Sequence, residues 1–392
     1  MSLNHVSRQI HAKRFRKIHV GWLLIIAAMF LTVIGLEAIS TTRPNVASRQ
    51  LFLSFCGMAL ALGAIFIPTK RWRQFSWWLL GFGLLMLVFL LLPGIPDFLV
   101  RPRHGARRWL NLFVTDIQPS ELVKIAFVLA LASYLRFKNS YRKLGGLITA
   151  FCLAIPPMVL IMVEPDLGTA MLFMPAMIAM LIAAGAKFKH LVIVGCVSIV
   201  FAISMYPLLR PHQKNRIEAL IAQVQGDDKY EHSIGYQGAR AMTLIGAGGV
   251  YGVGEERAFQ LLKANHLPEE HNDMIFVVIC LRWGIAGSAI MWVLYSLFAV
   301  GGLGAAMTCR DPFPRLVAVG LTTMILFQMI INCAMAMGIA PITGLTLPFI
   351  SAGGSSLVMV WLMTGILFGI AMRRDPAMTR EGFSFSDDRH LS

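Results

Sequence analysis

The sequence predicts an all-α membrane protein with about ten transmembrane helices and a large extracytoplasmic loop between the seventh and the eighth. Hydrophobic residues fill 57% of the 392 positions and charged residues 14%, a balance that excludes an ordinary soluble domain. The apolar residues gather into about ten runs, each near the roughly 20 residues needed to cross a bilayer core. The net charge of +15 sits in the short connections between runs and forms no continuous basic domain, so nucleic acid is not an expected partner. Basic residues recur at every second connection: Lys13, Arg14, Arg16 and Lys17; Lys70, Arg71 and Arg73; Arg136, Lys138, Arg142 and Lys143; Lys187 and Lys189; Arg310 and Arg315; Arg373 and Arg374. By the positive-inside rule these connections and both termini are cytoplasmic.

Taken in order, residues 1–19 form a basic cytoplasmic arm, 20–374 a single polytopic domain and 375–392 a polar cytoplasmic tail expected to be disordered. The first run is too long, and followed by too many others, to be a cleaved signal, so it is an anchor. Spans are expected at about 20–40, 50–68 and 75–93, with Lys70-Arg71-Trp72-Arg73 as the cytoplasmic link before the third. The fourth opens on Gln118-Pro119-Ser120-Glu121, where proline suits a first helical turn. The fifth to seventh lie at about 146–163, 169–186 and 190–207, the eighth and ninth at about 273–301 and 316–338. Residues 208–272 make the large outer loop, too long for a plain turn and expected to carry short helices and a functional surface. Its glycine-rich 245–254 stretch requires backbone that turns sharply or approaches a ligand closely. Neither a nucleotide fingerprint nor a P-loop fits there, because no strand precedes it and no Gly-Lys-Ser/Thr follows. The last outer turn, 341–356, is broken Gly/Pro-rich backbone of a kind tolerated at membrane depth only inside protein or around a wet cavity. The six cysteines lie in or at the ends of apolar runs without metal-ligand spacing, which argues against both disulfides and zinc.

The residues that carry chemistry collect on the outer side. Arg101, Arg103, Arg107 and Arg108 oppose the positive-inside trend; they either attach to lipid headgroups or grip a diphosphate through bidentate bonds. Trp109 beside them suits an interfacial anchor. Glu121 and Lys124 lie three residues apart on one helix face, an intramembrane pair that is either an interhelical salt bridge or functional, and function is the default for such residues. Glu164 and Asp166 flank an outer turn and either cap the sixth span or act in catalysis. His271 and Asp273 end the large loop, and Asp273 is the last acid before the eighth span. There it either caps the helix or, partly desolvated, becomes a usable base. The small residues of Gly353-Gly354-Ser355-Ser356 suit close helix packing.

Several stretches together resemble one family. Gly105-Ala106-Arg107-Arg108-Trp109, Gln118-Pro119-Ser120-Glu121 with Lys124, Glu164-Pro165-Asp166-Leu167-Gly168-Thr169-Ala170, Tyr236-Gln237, Gly248-Gly249 with Gly252 and Gly254, Pro268-Glu269 with His271 and Asp273, and Leu347-Pro348-Phe349 with the Gly-Gly-Ser-Ser run occur in the order of the SEDS proteins of RodA and FtsW type. Any one motif is weak; the ordered set is specific and covers nearly the whole chain. The resemblance implies ten spans and a peptidoglycan glycosyltransferase that polymerises lipid II on the outer face of the bacterial cytoplasmic membrane. It implies lipid II, lipid-linked glycan and a class B penicillin-binding protein, a transpeptidase, as partners, beside the membrane lipids. The family's proposed catalytic aspartate falls on Asp273, its functional arginine and tryptophan on Arg108 and Trp109, its intramembrane acid and lysine on Glu121 and Lys124, and its loop glutamine on Gln237. No cofactor is demanded, although a divalent cation such as Mg2+ suits a diphosphate leaving group.

Two positions depart from the family pattern. Leu281-Arg282-Trp283-Gly284 stands where relatives usually have two glutamates before the glycine, and Arg240 where a small polar residue is common. Arg282 lies about 13 Å beyond Asp273 along a helix, on the opposite side, and needs a partner of its own. The rival functions are a lipid II flippase or other transporter, which would place ionisable groups near the midplane, and a silent scaffold that activates a penicillin-binding protein.

Overall fold

The computed structural model describes residues 19–373 except 94, 97, 101–106, 112–115, 137–143, 209–210, 212–213, 216, 219–220 and 222–235. Both terminal segments, Arg101, Arg103 and much of the large loop therefore lie outside the described residues.

The described chain is almost wholly helical. In order come α1 (Trp22–Thr42), α2 (Pro44–Phe66), α3 (Thr69–Leu91), a two-residue hairpin of β1 (Leu110–Asn111) and β2 (Asp116–Ile117), α4 (Pro119–Leu135), α5 (Leu144–Val163), α6 (Leu167–Met171), α7 (Phe173–Ala184), α8 (Phe188–Met205), α9 (Tyr236–Gly248), α10 (Glu255–Asn265), α11 (Ile275–Thr308), α12 (Pro312–Ala336) and α13 (Gly354–Met372). Helices dominate because lipid offers no partner for backbone polar groups, and a helix satisfies them within one segment. Seven helices among the described residues are long and apolar enough to cross a membrane: α1, α2, α3, α6 with α7, α11, α12 and α13. The other three expected spans coincide with α4, α5 and α8, of 17, 20 and 18 residues.

Burial separates the centre from the rim. The apolar windows of α12 and α13 are each 72% buried inside the protein, against 28% for α3. Nearly every side chain of α4 is buried as well, since it is surrounded by α3, α5, α7, α12 and α13. Small residues permit the tightest approach. A Cβ on Gly365 of α13 would meet the Ala61 carbonyl oxygen of α2 at 2.3 Å, so the two backbones touch where larger side chains would hold them apart.

Several boundaries differ from expectation. The third span begins at Thr69, so Lys70-Arg71-Trp72-Arg73 forms its first turn and not a loop; long basic side chains are good helix formers whose heads reach water from apolar stems. The sixth span is divided between α6 and α7 at Leu172, where Pro175 cannot donate to the Met171 carbonyl. Among its described residues the large loop carries the helices α9 and α10.

The eighth span is longer than expected and broken. Gly284 takes φ 65°, ψ −157° in the middle of α11, a conformation open essentially to glycine alone. The glycine-rich loop is what makes the break tolerable. Ile285 and Ala286 donate backbone N–H groups to Gly249 and Val250 at 3.0 Å each, and Val253 and Gly254 donate to Leu281 and Arg282 at 2.9 and 3.2 Å. The 245–254 stretch thus turns sharply against the backbone of α11. A Gly284→Ala variant meets a Gly-only dihedral and a Cβ 2.4 Å from the Val250 carbonyl oxygen. We expect it to lose about 1–3 kcal/mol from the dihedral alone, seen as a lowered unfolding midpoint; an unchanged midpoint would show that the break is not required.

Candidate active site

The site is assembled at one end of the bundle, where α4, α11 and α12 meet the 341–356 turn. Asp273 closes the large loop. α11 begins at Ile275, with Met274 at its cap position and no side-chain cap bond, so Asp273 is not the cap of that helix. Its side chain is only 7% exposed. Asn332 fixes it from behind, donating through Nδ2 to the Asp273 carbonyl at 2.8 Å and to the Leu345 carbonyl at 2.6 Å. Ser351 ties the same loop to the turn, donating to the Asn272 carbonyl and accepting from the Leu347 N–H, both at 2.6 Å. The Ala352 N–H donates to the His271 carbonyl at 3.0 Å. Gly344, at φ 76°, brings the turn's backbone within a methyl's reach of the Asp273 carboxylate: a Cβ there would stand 3.9 Å from Oδ2.

One helical turn along α12 lies the second polar group. Lys124, with no exposed surface, pairs with Glu121 Oε2 at 2.9 Å. It also donates to Gln328 Oε1 at 2.9 Å. Gln328 in turn donates to the Thr346 carbonyl at 2.9 Å and its hydroxyl at 3.2 Å, and that hydroxyl bonds Ser356 at 3.0 Å. The Glu121–Lys124 pair is thus joined to the 341–356 turn by one side chain. Sequence reasoning alone passes over Gln328 and Asn332, although a signal exists: two amides four residues apart, on one face of a mostly apolar helix.

A third cluster surrounds the turn between α5 and α6. Asp166 caps α6, accepting from the Thr169 N–H at 3.2 Å and its hydroxyl at 2.9 Å, and takes a third bond from Gln118 Nε2 at 2.8 Å. Gln118 reaches the 341–356 turn through its own N–H, which donates to Ser355 Oγ at 3.3 Å. Arg108 donates through Nε to the Glu164 carbonyl at 2.8 Å and through Nη2 to the Pro165 carbonyl. The guanidinium is thereby spent partly on backbone. Arg107 and Trp109 are half-buried beside it, and Trp109, Asp116, Arg49, Gln50 and Ser355 line a cavity of ≈ 120 Å³. Gln50 Nε2 donates to the Ser351 carbonyl at 2.7 Å, bringing α2 to the same turn.

Glu164 differs from its neighbour. It is 2% exposed, and its Oε1 has no hydrogen-bond partner among the described residues. Burial and the Asp166 carboxylate, against the opposing charge of Arg108, push its pKa up to about 9 from 4.5. The folded protein therefore holds a proton that the unfolded chain releases, so stability falls as pH rises between those two values and the deficit is absent below 4.5. We expect Glu164→Gln to unfold at a higher temperature than wild type at pH 8, with the gap closing towards pH 4.5. Equal midpoints across that range would contradict a protonated Glu164.

The remaining expected residues are more peripheral. Gln237 on α9 donates to the Pro268 carbonyl at 3.4 Å, so it touches the loop ending at Asp273 and not the carboxylate. His271 is kept below its ordinary pKa by burial and by Arg43, against Glu269. Its imidazole is therefore neutral at pH 7. The two departures are structurally absorbed. Arg282 bonds Thr41 Oγ1 at 2.7 Å, the Glu37 carbonyl at 2.6 Å and Glu255 Oε2 at 2.8 Å, linking α1 and α10 to the break in α11. Arg240 bonds Asn265 Oδ1 at 2.9 Å and lies over the Tyr236 ring. Among the described residues no three His, Cys, Asp or Glu side chains converge to hold a metal.

The family model described as cell cycle protein, covering FtsW, RodA and SpoVE, matches residues 15–375. The chain belongs to the SEDS family. Stage V sporulation protein E of Bacillus subtilis (strain 168) is 29% identical over 366 residues, covering 89% of this chain and 96% of that protein. A probable peptidoglycan glycosyltransferase FtsW of Nitrosomonas europaea is 32% identical over 332 residues, 82% of each chain. A chain from a solved peptidoglycan synthase complex, in which polymerization and crosslinking are structurally coordinated, superposes with TM-score 0.76 at 25% identity, covering 89% of this SEDS chain and 97% of that one. The rod shape determining protein RodA of Thermus thermophilus shares the fold at TM-score 0.66 and 24% identity, covering 89% and 96%.

Proposed function

We propose that this SEDS protein is an inverting peptidoglycan glycosyltransferase of the bacterial cytoplasmic membrane, polymerising lipid II into β-1,4-linked glycan on its extracytoplasmic face during elongation or division. The observation that carries the reading is that two amides of α12 hold a buried acid and a buried cation to adjacent residues of the 341–356 turn: Asn332 ties the Asp273 backbone carbonyl to Leu345, and Gln328 ties Lys124 to Thr346. It supports a site with a base at one edge and positive charge nearby, and the family relationship supplies the reaction.

In that reaction a sugar hydroxyl of one lipid-linked disaccharide attacks the anomeric carbon of another. The new C–O bond forms as the bond to undecaprenyl diphosphate breaks on the opposite face, turning α into β. Asp273 takes the hydroxyl proton as general base. The diphosphate leaves unprotonated, so its charge must be met: Arg107 is the candidate for direct contact, Arg108 adds charge while gripping the Glu164–Pro165 turn, and Lys124 acts from within its pair with Glu121. Trp109, Asp166, Gln237 and neutral His271 shape the pocket and hold its loops. A class B penicillin-binding protein would crosslink the product. Lys124 is the sixth residue of α4 and Asp273 precedes α11, so both charges lie within about two turns of one end, an arrangement that favours one-sided chemistry over a transporter's midplane site.

The test is lipid II polymerisation by the purified protein in liposomes, with and without its penicillin-binding partner. Glycan ladders on a gel support the reading. Lipid II crossing the bilayer with no polymer formed would overturn it in favour of transport.

A further inference from the structure

The face of the bundle remote from Asp273 carries a feature that glycan synthesis does not use. α2 has Gln50 bonded to the candidate site near its start and runs to Phe66, a helix of 23 residues and about 34 Å. The turn into α3 is therefore at the other membrane surface, the cytoplasmic one by the charge rule. Beside it lies a laterally open groove of ≈ 500 Å³, lined by Arg71, Trp72, Phe75, Trp78, Leu79 and Phe82. Arg71, Phe75, Trp78 and Phe82 follow one another at steps of four, three and four residues, so they form one stripe along the helix. The stripe is bare: Phe75 is 57%, Trp78 78% and Phe82 55% exposed.

The charge at the head of the stripe is equally uncommitted. Lys70, Arg71 and Arg73 form the first turn of α3, and none has a side-chain hydrogen bond or ion pair among the described residues. No acidic residue occurs anywhere in Thr69–Leu91. Arg71 at the head of an aromatic-walled apolar channel, on a helix turn that is basic throughout, complements a molecule with an anionic head and a hydrocarbon body. We propose that this groove is a binding site for an anionic phospholipid of the cytoplasmic leaflet, its phosphate on Arg71 and an acyl chain along Phe75, Trp78 and Phe82. A guanidinium grips phosphate through paired N–H donors, and basic pockets at the cytoplasmic ends of spans select anionic headgroups.

The test is native mass spectrometry of the full-length protein released from membranes of equal phosphatidylglycerol and phosphatidylcholine. Wild type is expected to retain phosphatidylglycerol in preference to phosphatidylcholine, and Arg71→Gln to reduce that preference about fivefold, the effect of one cation near a membrane surface. Trp78→Leu, on a lipid-facing position that no fold contact requires, should lower retention of both lipids. Lys187→Gln, at another basic connection, should change nothing. Equal retention of the two lipids, an unchanged preference in Arg71→Gln, or an equal loss in Lys187→Gln would each overturn the proposal, the last by showing a diffuse field and no site. A second copy or another polypeptide held in an Arg71-dependent way would give the groove to a protein and overturn it as well. None of these readouts depends on glycan synthesis.

Discussion

Asp273→Asn is expected to abolish the glycan ladder from lipid II while leaving a folded protein. The substitution keeps side-chain size and does not touch the bond from Asn332, which goes to the Asp273 backbone carbonyl. It removes only the proton acceptor, and a positioned general base typically contributes about 10²- to 10⁴-fold. Initial rates of lipid II consumption in liposomes, beside matched size-exclusion profiles, give the comparison. Polymerisation by the folded variant at the wild-type rate would dismiss Asp273 as base, and the reaction itself would then need another acceptor.

Lys124→Met should have the second-largest effect, on stability as well as activity. Glu121 is 3% exposed and Lys124 not at all, so the variant leaves a carboxylate in a low-dielectric interior with its cation gone. Breaking one partner of such a pair costs about 3–5 kcal/mol, and here Gln328 also loses the donor that meets its Oε1. The double change Glu121→Gln with Lys124→Met should recover much of the thermal midpoint, because neither charge then remains unpaired. Activity should stay low in the double variant if the cation serves the diphosphate. Full recovery of both would reduce the pair to a structural tie.

The two variants probe ends of one chain of contacts. Asp273 and Lys124 are joined through Asn332 and Gln328, four residues apart on α12, and through the turn that both amides hold. A change at Gln328 or Asn332 therefore disturbs the relative placement of base and cation, although neither side chain is ionisable.

What the residues alone determine is the class of molecule and the inventory of its chemistry. Spans are legible because each is a local sum of apolar side chains, and the acids at the ends of spans, Lys124 and the arginines stand out by their cost in lipid. The breaks are less legible. Gly284 falls inside an apolar run whose hydropathy does not change, and its left-handed backbone becomes affordable only because residues 249–254 supply hydrogen bonds from a separate loop. The same loop explains why a glycine-rich stretch that reads equally as ligand-binding is packing against a helix. Partners are least legible of all: Lys124 meets Gln328 across 204 positions, Gln118 meets Ser355 across 237, and Arg282 meets Glu37 across 245. Hydropathy is a property of neighbours in the chain, whereas a buried charge is satisfied by whatever the packed helices bring against it. The sequence on its own thus determined that this is a polytopic membrane protein with ionisable groups at one face; only the tertiary structure decided which of them share a network, which are spent on backbone, and which, like Arg71, are left facing lipid.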